Sequence, residues 1–134
     1  MGNWYFLRIM KTKSAKAKGR KLQKWVCEQI GKFLNLPWGY DDEHLIQPRL
    51  MGQGGVDIVL RGEASNYFPF SIECKNTERL NLYNSIDQAK RNCKRNTDWL
   101  LFHTKNHSAP IVILDAETFF RLIVPIETGA NHET

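Results

Sequence analysis

Cysteine is scarce in this chain, and the three that occur, Cys27, Cys74 and Cys93, are scattered. They form no Cys-x-x-Cys pair and no zinc-like Cys/His spacing, so neither a disulfide framework nor a structural zinc organises the fold. Free, reduced thiols are the expectation, as in a cytoplasmic setting. The histidines, His44, His103, His107 and His132, are equally dispersed and read as loop and surface residues, not ligands. Long apolar runs are missing too. No stretch approaches the roughly 20 residues that span a bilayer. The apolar segment Trp4–Met10 is too short for a signal-peptide core and runs straight into lysines. There is no internal repeat. A membrane span and a repeat architecture are thereby set aside.

Acidic residues are almost absent from one region. Residues 1–32 carry nine Lys/Arg against one acid, Glu28, while the remainder carries ten bases against thirteen acids. The net charge of +5 is thus concentrated at one end. Such a block is either a solvated arm that aids solubility or a surface for polyanions, of which nucleic acid is the commonest.

With 134 residues, 42% of them hydrophobic, the chain can bury one core. Residues 1–125 read as one domain with a basic arm over about 1–18, and 126–134 as a flexible tail. Residues 3–10 suggest a short strand or an arm packed on the core. Ser14 is a plausible N-cap for a helix to about Leu36, with Leu22, Trp25, Val26, Ile30, Phe33 and Leu34 at helical spacing. Trp25 and Trp99 are expected in the core and not as base-stacking platforms. Residues 37–55, rich in Pro, Gly and acids, read as loop. Val56–Leu60 reads as a strand and 61–69 as a turn. Phe70–Lys75 alternates as a strand, with Phe70, Ile72 and Cys74 on one face and Ser71, Glu73 and Lys75 on the other. A helix over 80–95, a hairpin of strands 99–104 and 110–114, and a short helix over 116–123 follow. The fold class is α/β: a mixed sheet flanked by helices.

Period two places Glu73 and Lys75 on one face of their strand. Pairing with the preceding strand as a hairpin would bring Asp57 to them. Two close carboxylates repel unless a cation lies between them, and hard oxygen donors favour magnesium, with manganese able to substitute. A cation there can bind a phosphate oxygen and activate a water. Lys75 can orient or deprotonate that water, or stabilise charge growing on the phosphate. The plain alternative is the wet face of an amphipathic hairpin. Two features favour the site. Three polar residues interrupt an apolar strand, and the lead-in Met51–Gly55 lets backbone come close to a ligand. Lys90, Arg91, Lys94 and Arg95 form either a solvated face or a phosphate track.

The run GGVDIVL followed by FPFSIECKN resembles the PD-(D/E)xK nuclease superfamily, and within it the small archaeal and phage Holliday junction resolvases. The likeness extends from about Lys18 to Leu114 and is specific at IECK and VDIVL. It implies a restriction-endonuclease-like fold in which Asp57, Glu73 and the Cys74 backbone carbonyl hold the metal and Lys75 is catalytic. The family often carries a glutamate on its first helix. Gln23 stands at that position, able to hold a water but adding no charge, and Glu28 lies on another helix face. Val56 replaces the proline of the family name. Arg49 matches a DNA-contacting arginine, and Gln88 a glutamine that bridges to the site, unless it is an ordinary helix-surface residue.

The resemblance implies a magnesium-dependent endonuclease, a junction resolvase acting as a homodimer in the cytoplasm of a prokaryotic or phage-infected cell. Lys16, Lys18, Arg20, Lys21 and Lys24, with Lys90, Arg91, Lys94 and Arg95, would hold branched or duplex DNA on the side of the molecule that carries Glu73. A less selective phage nicking or recombination nuclease, and a DNA-binding protein of weakened activity, are the alternatives.

Overall fold

The computed structural model describes the backbone of residues 2–50 and 52–125, and side chains within those ranges from Ser14 onward. The expected tail over 126–134 lies outside the described residues.

A helix, α1 (Gly2–Leu34), opens the chain. The expected short strand or packed arm over 3–10 and the N-cap at Ser14 are therefore both replaced by continuous helix. Nothing between them breaks one: no proline occurs, and lysine and alanine around Ser14 are good helix formers. The helix stops where Asn35 takes a left-handed φ of 55° and the Leu36 amide donates back to the Gly31 carbonyl at 3.0 Å. A Cβ on Gly31 would stand 2.8 Å from the Leu36 carbonyl oxygen, so the turn needs glycine there.

The expected loop over 37–55 contains β1 (Ile46–Pro48), which pairs antiparallel with β2 (Ile58–Leu60). A three-residue strand ending in proline gives no alternation to detect. The buried Gln47 side chain fixes the approach to it by donating to the Tyr40 carbonyl at 2.6 Å. The expected turn over 61–69 winds into α2 (Gly62–Tyr67).

β3 (Phe70–Asn76) and β4 (Asp98–Thr104) run parallel, joined by α3 (Leu82–Arg91). Asn81 caps α3 through its side chain. β5 (Ile111–Ile113) adds antiparallel to β4, giving the order β3-β4-β5. The last helix is α4 (Ala116–Leu122), tied to the start of β4 by a two-pronged pair of Arg121 with Asp98 at 2.9 and 3.0 Å. The hairpin β4–β5 and the terminal helix match the sequence reading.

The result is a single mixed α/β domain with a helix on each side of β3. On one side Leu22, Val26, Cys27 and Ile30 of α1 pack on Ile46, Ile58, Ile72 and Cys74. On the other, Ala89 and Ile86 of α3 pack on Trp99 and Leu101. Each fully buried Ile or Leu contributes about 1.5–3 kcal/mol by leaving water. Trp99 is in the core as expected. Trp25 is not: it is 37% exposed. All three cysteines are free, and burial pushes the Cys27 thiol up to about 12 and the Cys74 thiol upward as well. Both therefore behave as packing groups, not nucleophiles.

Candidate active site

β2 and β3 do not form the expected hairpin: β2 pairs with β1, and β3 with β4. Asp57 reaches β3 another way. Its amide donates to the Ile72 carbonyl at 2.9 Å, and its Oδ2 accepts from the Cys74 amide at 2.7 Å. These two bonds hold the Asp57 carboxylate against β3 near Glu73, where each acid influences the other's ionisation.

Both acids are raised above their ordinary range. Burial is the main cause at Asp57, opposed by the Cys74 amide and by the charges of Lys75 and Arg49. Glu73 is only 3% exposed. Burial first and the neighbouring Asp57 charge second push it up to about 7. Two carboxylates in one dry place thus cannot both ionise without help.

The help on hand is partial. Lys75 Nζ lies 4.0 Å from Glu73 Oε1, and it donates to Gln88 Oε1 at 2.7 Å. Asn92 Nδ2 donates to Glu73 Oε2 at 3.4 Å. Gln88 and Asn92 are four residues apart, one helical turn, so α3 presents an amide to each reactive side chain. Gln88 therefore contacts Lys75 directly. Asn92 was missed by sequence reasoning; its i+4 relation to Gln88 was the available clue.

Arg49 is placed by the chain leading into Asp57. Its amide donates to the Asp57 carbonyl at 2.8 Å, and its Nε donates to the Val56 carbonyl. Gly55 has φ +96°, and the Arg49 guanidinium occupies the space around the Cβ it lacks, 3.4 Å away at the nearest atom. A Cβ at Gly55 would meet Arg49 only at ordinary contact distance, but the backbone conformation itself would resist it. The glycine lead-in thus seats an arginine next to Asp57. Ser71 serves the structure as well, since its hydroxyl accepts from the Lys94 amide at 2.9 Å and bonds Thr97 at 2.6 Å. It fastens the turn after α3, so Lys94 and Arg95 sit beyond the helix end at Arg91.

Gln23 is half-buried on α1, whose core residues pack on the Ile72–Cys74 face of β3. Glu73 and Lys75 lie on the other face, and among the described residues no hydrogen bond joins Gln23 to either carboxylate. The basic groups divide the same way. Lys16, Arg20, Lys21 and Lys24 are exposed and Lys18 half-buried on α1, whereas Lys90, Arg91, Lys94 and Arg95 belong to α3 and its following turn. They occupy opposite layers of the sandwich, not the single side carrying Glu73 that was expected. The helices that carry them pack on opposite faces of the sheet, and the pleat of β3 sends successive side chains to one or the other. The two layers meet at adjacent residues: Lys75 bonds Gln88 of α3, and Asn76 Nδ2 donates to the Lys18 carbonyl of α1 at 2.9 Å.

Among the described residues no group of three or more His, Cys, Asp or Glu gathers as a metal cage. Asp57 and Glu73 nevertheless fit a hard divalent cation: they are buried oxygen donors with excess negative charge, lacking any soft ligand. Of the histidines, His44 bonds Asp41 at 2.7 Å and His103, at the end of β4 and not in a loop, bonds the Thr77 carbonyl at 2.9 Å. Neither joins the acids. Comparison with known proteins adds no relative: no family model, curated protein or solved structure matches the chain.

Proposed function

We propose that this chain is a divalent-cation-dependent DNA endonuclease of the PD-(D/E)xK type, and specifically a Holliday junction resolvase. One observation carries the reading: Asp57 is bonded to the backbone of β3 beside Glu73, while Lys75 on the same strand face is held by Gln88. Asp57 and Glu73, with the Cys74 carbonyl as the expected third donor, would hold magnesium, or manganese in its place. Such an ion supplies charge neutralisation, polarisation of a phosphate oxygen and a more acidic water. Asp57 and Glu73 bind, and by binding they orient. Gln88 keeps the Lys75 ammonium aimed along the strand face, where it can position the attacking water or meet charge growing on the phosphate. Asn92 steadies Glu73. Arg49, beside Asp57, and the lysines and arginines of α1 and of the turn after α3 would contact the DNA backbone, reading its shape without its sequence.

Paired cuts at a four-way junction require two sites, hence a homodimer. Support comes from apolar side chains left in solvent on the edge strand β5 and on α4: Ile111, Val112, Phe119, Phe120 and Leu122 are all exposed. No described helix is long and apolar enough to cross a membrane. The proposed setting is the cytoplasm of a prokaryotic or phage-infected cell. The test is cleavage of four-way, forked, duplex and single-stranded DNA with and without magnesium. Paired nicks across the junction, only with metal, are expected. Nicks on every substrate would instead identify a less selective nuclease.

A DNA-binding protein of weakened activity is the second reading. The neutral Gln23, unbonded to the carboxylates, favours it, and metal-dependent turnover in the same assay would exclude it.

A further inference from the structure

A sizeable cleft lies away from the carboxylates. It opens at the C-terminal ends of the parallel strands β3 and β4, with a volume of about 610 Å³. One wall is α1, through Lys18, Lys21 and Trp25; the other is the β4–β5 loop, through Lys105, Asn106 and His107. Three lysines and a histidine line it, and no aspartate or glutamate does. Trp25, which lines it, keeps more than a third of its surface exposed, unlike a core tryptophan.

The loop wall is built, not draped. The Asn106 amide donates to Glu78 Oε1 at 2.7 Å, and Thr104 Oγ1 donates to the Ser108 carbonyl at 2.9 Å. His107 is held at a φ of 59°, a strained value for a residue other than glycine. On the other side, Asn76 clasps the Lys18 carbonyl. The α1 wall is therefore fastened to the residue that follows Lys75.

From this geometry we infer that the cleft takes an unpaired nucleotide of single-stranded DNA, its base against Trp25 and its phosphates against Lys18, Lys21 and Lys105. An indole face offered inside a cationic groove is what single strands use, because an unpaired base can stack where a paired one cannot. A duplex would meet the lysines but leave Trp25 untouched. The position at the strands' C-terminal edge is also where open parallel sheets receive ligands. The β3 pleat sends Lys75 to the reactive face and Asn76 to the cleft. A strand leaving a branch point would thus be gripped on the layer opposite the one where its neighbouring phosphodiester is cut. This inference rests on the nuclease reading for its ligand class, but not on cleavage.

The test measures, in EDTA so that nothing is cut, the affinity of labelled ten-residue oligothymidine and of a 20-base-pair duplex. Wild type is compared with Trp25→Ala, Trp25→Phe and Lys105→Gln, each checked for an unchanged circular dichroism melt. Trp25→Ala should weaken the single strand about tenfold and the duplex less than twofold. Trp25→Phe, which keeps a stacking ring, should recover most of the loss. Lys105→Gln should weaken the single strand and flatten its salt dependence. Equal loss on both DNAs, or no loss on the single strand, overturns the inference. Binding of thymidine monophosphate that needs Trp25, with no oligothymidine binding, also overturns it in favour of a free-nucleotide site. If duplex is bound and cut while Trp25 proves irrelevant, only the cleft falls. If wild type binds no DNA, the nuclease reading falls with it.

Discussion

The two faces of β3 carry alternate residues of one seven-residue strand, yet they solve opposite problems. Toward α1 stand Ile72 and Cys74, buried among Leu22, Val26, Cys27 and Ile30. Toward α3 stand Ser71, Glu73 and Lys75, each tied to a named partner: Thr97, Asn92 and Gln88 respectively. The first face gains stability by excluding water. The second gives stability up, since Glu73 is held where its ionised form is disfavoured. A strand divided this way is packed on apolar side chains from behind and polar in front. Under the proposed function the α1 face would position the strand and the α3 face would carry the chemistry.

The comparison can be broken from either side. Lys75→Ala should lower cleavage by several orders of magnitude while sparing metal affinity, because the ammonium acts on water or phosphate and not on the ion. Calorimetric loss of metal binding along with activity would make Lys75 structural. On the other face, Ile72→Ala should cost about 2–5 kcal/mol of folding stability, read by urea denaturation, and reduce activity only through unfolding. Gln88→Ala should slow cleavage about tenfold, as loss of an orienting partner usually does, with little change in melting temperature. A full loss of activity there would mean that Gln88 touches substrate.

The pH dependence sharpens the same contrast. Glu73 is raised from 4.5 to about 7, so between those values the native state holds a proton that the unfolded chain has released. Stability of the metal-free protein therefore falls as pH rises through that window, the reverse of an ordinary paired carboxylate. Melting in EDTA should drop by on the order of 5 °C more in wild type than in Glu73→Gln between pH 5 and 8. Exposed Asp41 and the surface pair of Asp98, whose hydrogen bonds lower them, act below this window and cancel in the difference. The smallest effect expected is at Gln23: Gln23→Glu should change turnover by no more than a few-fold, since α1 packs on the other face. A large gain would show that Gln23 reaches the metal.

Much of this was legible in the sequence, and the failures have physical causes. Alternation in Phe70–Lys75 placed Glu73 and Lys75 together, and β4, β5 and α4 followed from apolar periodicity. The partner of β2 was not legible, because β1 is three residues long and ends in Pro48. Asp57 reached Glu73 through a hydrogen bond to the Cys74 amide, which no pattern of side chains encodes. The length of α1 was misread because an interior serine looks like a cap when nothing marks it otherwise. Trp25 was assigned to the core on helical spacing alone, yet its neighbours Lys18 and Lys21 open that side of the helix into a cleft.

The central claim is that Asp57 and Glu73 act as one cation-binding pair in DNA cleavage. The most direct measurement is magnesium-dependent nicking of a four-way junction by wild type, Asp57→Asn and Glu73→Gln, with junction affinity measured in parallel. Wild type should cleave only with metal, and both variants should fall to background while binding the junction as well as wild type or more tightly, since a phosphate-repelling charge is gone. Undiminished cleavage by either variant, or equal cleavage by wild type in EDTA, would contradict the account.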